Sequence, residues 1–146
     1  MRKGIRADGA NLYPAMPYTA YSVMTDQDIH DLYQYFMQGV KPVDHPAAET
    51  ELPFPMNIRM MMKAWNLLFL NDKPFSPDAS QSAAWNRGKY LVTGAAHCST
   101  CHTPRGPLME EESSQFLSGG QVGAWYAPNI TSDPQSGIGR WSQADI

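Results

Sequence analysis

Cys98-Ser99-Thr100-Cys101-His102 holds both cysteines of the chain, three positions apart, with a histidine directly after the second. C-x-x-C-H is the spacing of c-type haem attachment. The chemistry needs that order. Two thiols one helical turn apart reach the two vinyl groups of one porphyrin and form thioethers, and the adjoining imidazole then lies under the iron as proximal ligand. With 2 Cys and 4 His in 146 residues, composition alone produces this arrangement about once in 2,700 sequences, so chance is a poor explanation. Three other uses of the pair stay open at this point. A thioredoxin-like dithiol needs a βαβ context; a zinc site needs further ligands, for which His97 and His102 are the nearest candidates; a plain buried thiol pair needs neither.

Outward from the pair, the pattern is helical. A helix is expected from Ser82 to Thr93, capped by Ser80 or Ser82, with Ala84, Gly88 and Leu91 on one face. Glycine in mid-helix costs about 1 kcal/mol relative to alanine, so Gly88 suggests close approach of another helix. A second helix is expected over Asp26 to Gln38. Thr25 and Asp28 form a capping box, Asp26 and Asp28 suit the positive end of the dipole, and Gly39 stops it. Ile29, Leu32, Tyr33 and Phe36 give this helix a stripe expected to be buried. A short helix over Met60 to Phe69 is expected to use Met61, Trp65, Leu68 and Phe69. A last turn begins near Ser142, and little β structure is expected, so the fold class is all-α. By composition the chain reads as three parts: 1–40, a proline-rich connector over 41–79, and 80–146.

Composition narrows the function. The chain is 42% hydrophobic and 17% charged, so it can bury a core. Its 11 basic and 14 acidic residues give a net charge of −3 and no basic stripe, which sets nucleic acid aside as a partner. The most apolar stretch, Met60 to Leu70, is broken by Lys63 and Asn66 and is shorter than the roughly 20 residues of a membrane span. The N-terminus does not read as a signal peptide.

An electron-transfer haem commonly takes Met or His as its sixth ligand. Of nine Met, Met109 is too close to His102 to cross the haem, while Met37, Met60, Met61 and Met62 read as packing residues. Met16 differs: Pro14 and Pro17 stiffen its loop and aim the sulfur. His97 is expected near the haem edge, His30 in solvent and His45 in a loop.

Together, Leu12 to Tyr21, the T-D-Q-D helix to Val40, Trp65-Asn66, Gly88 to Gly106, and Ala127-Pro128-Asn129-Ile130-Thr131 through Gly137-Ile138-Gly139-Arg140-Trp141-Ser142 resemble the triple-haem cytochrome c subunits of bacterial membrane-bound dehydrogenases of alcohols, gluconate, sorbitol or fructose. The resemblance spans essentially the whole chain. It implies parts of two tandem class I cytochrome c-like haem domains. Residues 1–40 match the C-terminal part of one, with Met16-Pro17 as its distal-ligand loop, and 80–146 match the N-terminal part of the next. Cys98, Cys101 and His102 form its haem site. The signal peptide and membrane anchor of such subunits fall outside the matching residues, which implies a partial chain. The implied role is electron transfer through covalent haem c, without substrate chemistry of its own. Electrons would pass from a flavin or quinoprotein dehydrogenase subunit toward quinone or a terminal oxidase, at the periplasmic face of the cytoplasmic membrane. Membrane contact would come only through other parts of the subunit. Arg105, Trp125, Asn129 and Arg140 are candidates for the haem propionates, and the second His102 nitrogen is expected to donate to the carbonyl of Pro104 or Pro107. The alternatives are a truncated, haem-free fragment that only docks on a partner, and a C-x-x-C thiol–disulfide oxidoreductase.

Overall fold

Serine and threonine oxygens begin the two best-defined helices of the computed structural model, which describes all 146 residues. Thr25 Oγ1 accepts the Asp28 N–H at 3.1 Å and starts α2, Asp26–Gln34. Ser82 Oγ accepts the Trp85 N–H at 3.1 Å and starts α4, Ala83–Tyr90. Each cap satisfies an otherwise orphaned donor and is worth about 1 kcal/mol. Both helices then widen into a π turn, Tyr35–Gly39 after α2 and Leu91–Ala95 after α4. The chain divides into two compact units, Met1–Gln81 and Ser82–Ile146.

The first unit is centred on Tyr18, which is 1% exposed, with Ala20 and Met24 buried beside it. Tyr18 opens the short helix α1, Tyr18–Tyr21. Its hydroxyl donates to Asn66 Oδ1 at 2.6 Å, joining α1 to α3, Met61–Phe69. Gly4 lies flat on its ring; a Cβ there would sit 2.6 Å from the ring carbon that bears the hydroxyl. Ser22 Oγ lies 2.6 Å from both the Thr19 and the Asn71 carbonyl oxygens, and the Phe75 N–H donates to the Val23 carbonyl. Arg59 donates to the Asn11 carbonyl and stacks over the Tyr13 ring at 4.7 Å. These bonds hold the segment around Met16 from both sides.

Two expected faces are corrected here. Asn66 has to face Tyr18, so α3 turns Met62, Trp65, Asn66 and Phe69 inward, half-buried, and leaves Met61 and Leu68 exposed. On a helix apolar on nearly every side, one hydrogen bond chooses the inner face. The α2 stripe is not buried: Ile29 and Leu32 are half-covered, while Tyr33 and Phe36 are 58% and 57% exposed. A helical period identifies an apolar face; the core around Tyr18 and Met24 closes without this one.

The second unit starts at α4, turns at His97, whose φ of 40° is left-handed, and enters α5, Ser99–His102. Beyond it the all-α expectation is not confirmed, because a small sheet follows. Residues Gly120–Val122 (β1) pair antiparallel with Trp125–Ala127 (β2), with Gly120 opposite Ala127 and Val122 opposite Trp125. The tight turn needs Gly123 at a φ of +59°. A 3-10 turn covers Ser113–Gln115. Near the end, Asp145 accepts from the Ser142 N–H and hydroxyl, making a turn rather than a helix. No helix is long and apolar enough to cross a membrane.

A Cβ added at Gly88 would meet nothing within 4 Å, so the expected close helix crossing is not what this glycine serves here. Gly88→Ala is therefore expected to stabilise the chain by about 1 kcal/mol, read as a higher urea midpoint. A lower midpoint would mean that this side of α4 is occupied.

Candidate functional site

The C-x-x-C-H residues stand on one turn. Cys98 has helical backbone angles, and its carbonyl accepts the N–H groups of Cys101 at 3.3 Å and His102 at 3.0 Å. Residues three apart on a helix share a face, so both thiols project from the same side of this turn. Both are free and half-buried. Upstream, the Cys98 N–H donates to the Val92 carbonyl and the Thr100 N–H to that of His97, seating the turn on the end of the α4 segment. Ser99 and Thr103, on either side, are buried.

His102 Nδ1 lies 2.7 Å from the Pro128 carbonyl oxygen. A carbonyl can only accept, so this contact requires the proton on Nδ1 and leaves the Nε2 lone pair free to bind a metal. The expected acceptors, Pro104 and Pro107, give way to a residue 26 positions on. Pro104 instead accepts the Glu112 N–H, closing the 104–112 loop. Pro128 comes to His102 because the β1–β2 hairpin folds the chain back on itself. Sequence reasoning missed this partner; the only local signal was its place in Ala127-Pro128-Asn129, directly after a strand too short to recognise.

The other candidates fall into place around this turn. Arg105 donates to the Thr100 carbonyl at 2.7 Å and the Met109 carbonyl at 3.2 Å, and pairs with Glu111 at 3.8 Å, so its guanidinium closes the end of α5. Asn129 Oδ1 accepts from the N–H and hydroxyl of Thr131, while its Nδ2 donates to Ser136, an arrangement that shapes the 129–136 loop. Trp125 and Arg140 are exposed. Met16 lies in the first unit, 66% exposed, between half-buried Pro14 and buried Pro17. Cys98, Cys101 and His102 are thus brought together, and Met16 belongs to a separate unit.

Zinc and thioredoxin chemistry find no support in these surroundings. No group of three or more His, Cys, Asp and Glu side chains is placed to hold a metal ion. Upstream of the cysteines lies helix, and the only sheet is a two-stranded antiparallel hairpin, not a βαβ unit. Two free thiols on one turn, followed by an imidazole whose Nδ1 is held to a carbonyl, are the residue types and order that c-type haem attachment uses.

Comparison with known proteins points to the same class. The chain is 52% identical over its whole length to the fructose dehydrogenase cytochrome subunit of Gluconobacter japonicus, covering 30% of that protein. It is 45% identical to the cytochrome c subunit of the alcohol dehydrogenase (quinone) of Gluconacetobacter polyoxogenes, covering 33%. Against the gluconate 2-dehydrogenase cytochrome c subunit of Pantoea cypripedii it is 39% identical, covering 35%. No protein-family profile matches. Its homologues over the whole chain are therefore cytochrome c subunits of fructose, alcohol and gluconate dehydrogenases, and they imply a cytochrome c-like fold. The chain spans about a third of the length of these curated relatives.

Proposed function

We propose that this chain is an electron-transfer segment of a dehydrogenase-associated cytochrome c subunit, carrying haem c on Cys98 and Cys101 with His102 as proximal iron ligand. The observation that carries the reading is the turn itself: two free thiols on one face and an imidazole held to Pro128 through Nδ1. The residues fit a covalently attached haem by the chemistry of their donor set. When bound, the haem supplies one-electron chemistry in which no atom changes hands.

The protein's part is positional. The thiols of Cys98 and Cys101 fix the macrocycle against α5. His102 presents Nε2 at a set angle, and the Pro128 carbonyl raises the basicity of its ring. Arg105 closes the turn by donating a hydrogen bond to the Thr100 carbonyl. Exposed Trp125, Tyr126 and Leu108 in the same unit offer apolar surface that a porphyrin would cover.

The same reading makes residues 1–40 the C-terminal part of one haem domain, 41–79 a connector and 80–146 the N-terminal part of the next. Division of the chain between Gln81 and Ser82 supports it. Met16 would then be the distal ligand of the preceding haem. Its exposure on a proline-stiffened loop suits a thioether that is to meet iron. The partner would be a flavin or quinoprotein dehydrogenase subunit, with quinone or a terminal oxidase as the electron sink, at the periplasmic face of the cytoplasmic membrane. The names of the relatives support the dehydrogenase partner.

A redox titration tests the role. The chain, produced with haem-attachment machinery, is expected to show one haem in a pyridine haemochrome assay and to take up one electron reversibly. A haem-free product that turns over a dithiol substrate would instead establish the oxidoreductase reading.

A further inference from the structure

Within residues 11–18 only Ala15 and Met16 are exposed, so the Met16 sulfur stands at the tip of a segment whose two flanks are covered. Pro14 and Pro17 fix backbone angles inside that segment, but they do not fix where it sits on the unit. Both flanks are held from one place, residues 59–66. Before Met16, Arg59 donates to the Asn11 carbonyl at 3.1 Å, and its guanidinium lies 4.7 Å from the centre of the Tyr13 ring. After Met16, the Tyr18 hydroxyl donates to Asn66 Oδ1 at 2.6 Å, and the Tyr18 N–H donates to the Met16 carbonyl at 2.6 Å. Asn66 Nδ2 also donates to the Lys3 carbonyl at 3.4 Å, and the next carbonyl along, that of Gly4, accepts the Leu12 N–H at 2.7 Å. These contacts close a ring that leaves Asn66 through Tyr18, returns to it through Leu12 and Gly4, and carries Met16 on its perimeter.

We propose that residues 59–66 brace the Met16 loop, with Arg59 and Asn66 as positioning residues that hold the sulfur at a fixed place on the first unit. This rests on reading Met16 as a distal iron ligand, and it gives part of the stretch 41–79 a task beyond connecting. The physical reason is the weakness of the ligand. A neutral thioether on a flexible side chain makes a stable bond only where its loop is ordered beforehand. A guanidinium stacked on an aromatic ring and bonded to a carbonyl is a planar, directional fastening that an ammonium does not reproduce. Released from Arg59, the loop takes up positions in which the sulfur misses its target, and the bonded state is populated less.

Arg59→Leu tests the brace. In the haem-free chain, amide exchange at Leu12 is expected to quicken about tenfold, with backbone order falling over residues 12–16 and unchanged in α2. Asn66→Ala should loosen residues 16–18 in the same local way. Tyr13→Phe keeps the stack and should match the parent, whereas Arg59→Lys should not restore it. Should Arg59→Leu fail to fold, Tyr13→Leu removes the same stack from the other side and is expected to give the same local loosening. In the haem-loaded multi-haem subunit, the readout is the part of the methionine-to-ferric-iron charge-transfer band that Met16→Ala removes. Arg59→Leu is expected to lower that part by about half. A lowered melting point with Leu12 exchange and the band both unchanged would overturn the brace, since an arginine that only fills space does that much. Exchange quickened evenly across the unit would overturn it too. A band untouched by Met16→Ala defeats the ligand reading alone, and the haem-free exchange still decides whether residues 59–66 hold the loop.

Discussion

Replacing both Cys98 and Cys101 with alanine is expected to abolish covalent haem, leaving no colour that survives acid–acetone extraction. The expectation follows from the shared face of the turn: each sulfur supplies one thioether, and no other cysteine exists in the chain to substitute. A single Cys98→Ala or Cys101→Ala change should keep one thioether and shift the haemochrome band toward that of a haem with one vinyl group intact. The turn itself should survive. Its helical bonds run through the Cys98 carbonyl, which alanine retains, so circular dichroism of the haem-free double variant should match the parent. Covalent haem in the double variant would place attachment elsewhere and defeat the assignment.

Tyr18→Ala is expected to cost the first unit about 3–5 kcal/mol, the range for removing a large buried aromatic. Small domains are stable by only about 5–15 kcal/mol, so most of this unit's stability would go. The loss has two parts. The ring fills the space between Gly4 and the buried core residues, and the hydroxyl donates to Asn66 Oδ1, which would otherwise lose that partner. Tyr18→Phe isolates the second part and should cost about 1–3 kcal/mol. Urea unfolding followed through Trp65, whose ring packs on Phe69 at 5.3 Å in the same unit, reads both. A Tyr18→Ala midpoint within error of the parent would show that the core of Met1–Gln81 lies elsewhere.

What could be read from the sequence was local in its physics. Thr25 and Ser82 act on N–H groups three residues away, so both caps were legible from spacing alone. The cysteine turn was legible for the same reason: its donors are adjacent along the chain. The hairpin was not. Its strands are three residues long, rich in glycine at the entry, and too short for alternation to register. It exists because Gly120 lets the chain lie against the Cys101 and Thr103 carbonyls at the end of α5, a tertiary fact. Pro128 was missed with it, since the hairpin is what carries that carbonyl across to the ring. The α2 stripe and the inner side of α3 were misjudged for another reason. Periodicity reports that a face is apolar; whether it is covered, or rotated by one polar contact such as Tyr18–Asn66, depends on partners far along the chain.

The central assignment is tested most directly by intact mass and peptide mapping of the chain made in a host that attaches haem. The expected result is a mass increased by one haem, with the whole increment on the peptide that contains Cys98, Cys101 and His102. A product at the bare polypeptide mass, with both thiols still titratable, would contradict it.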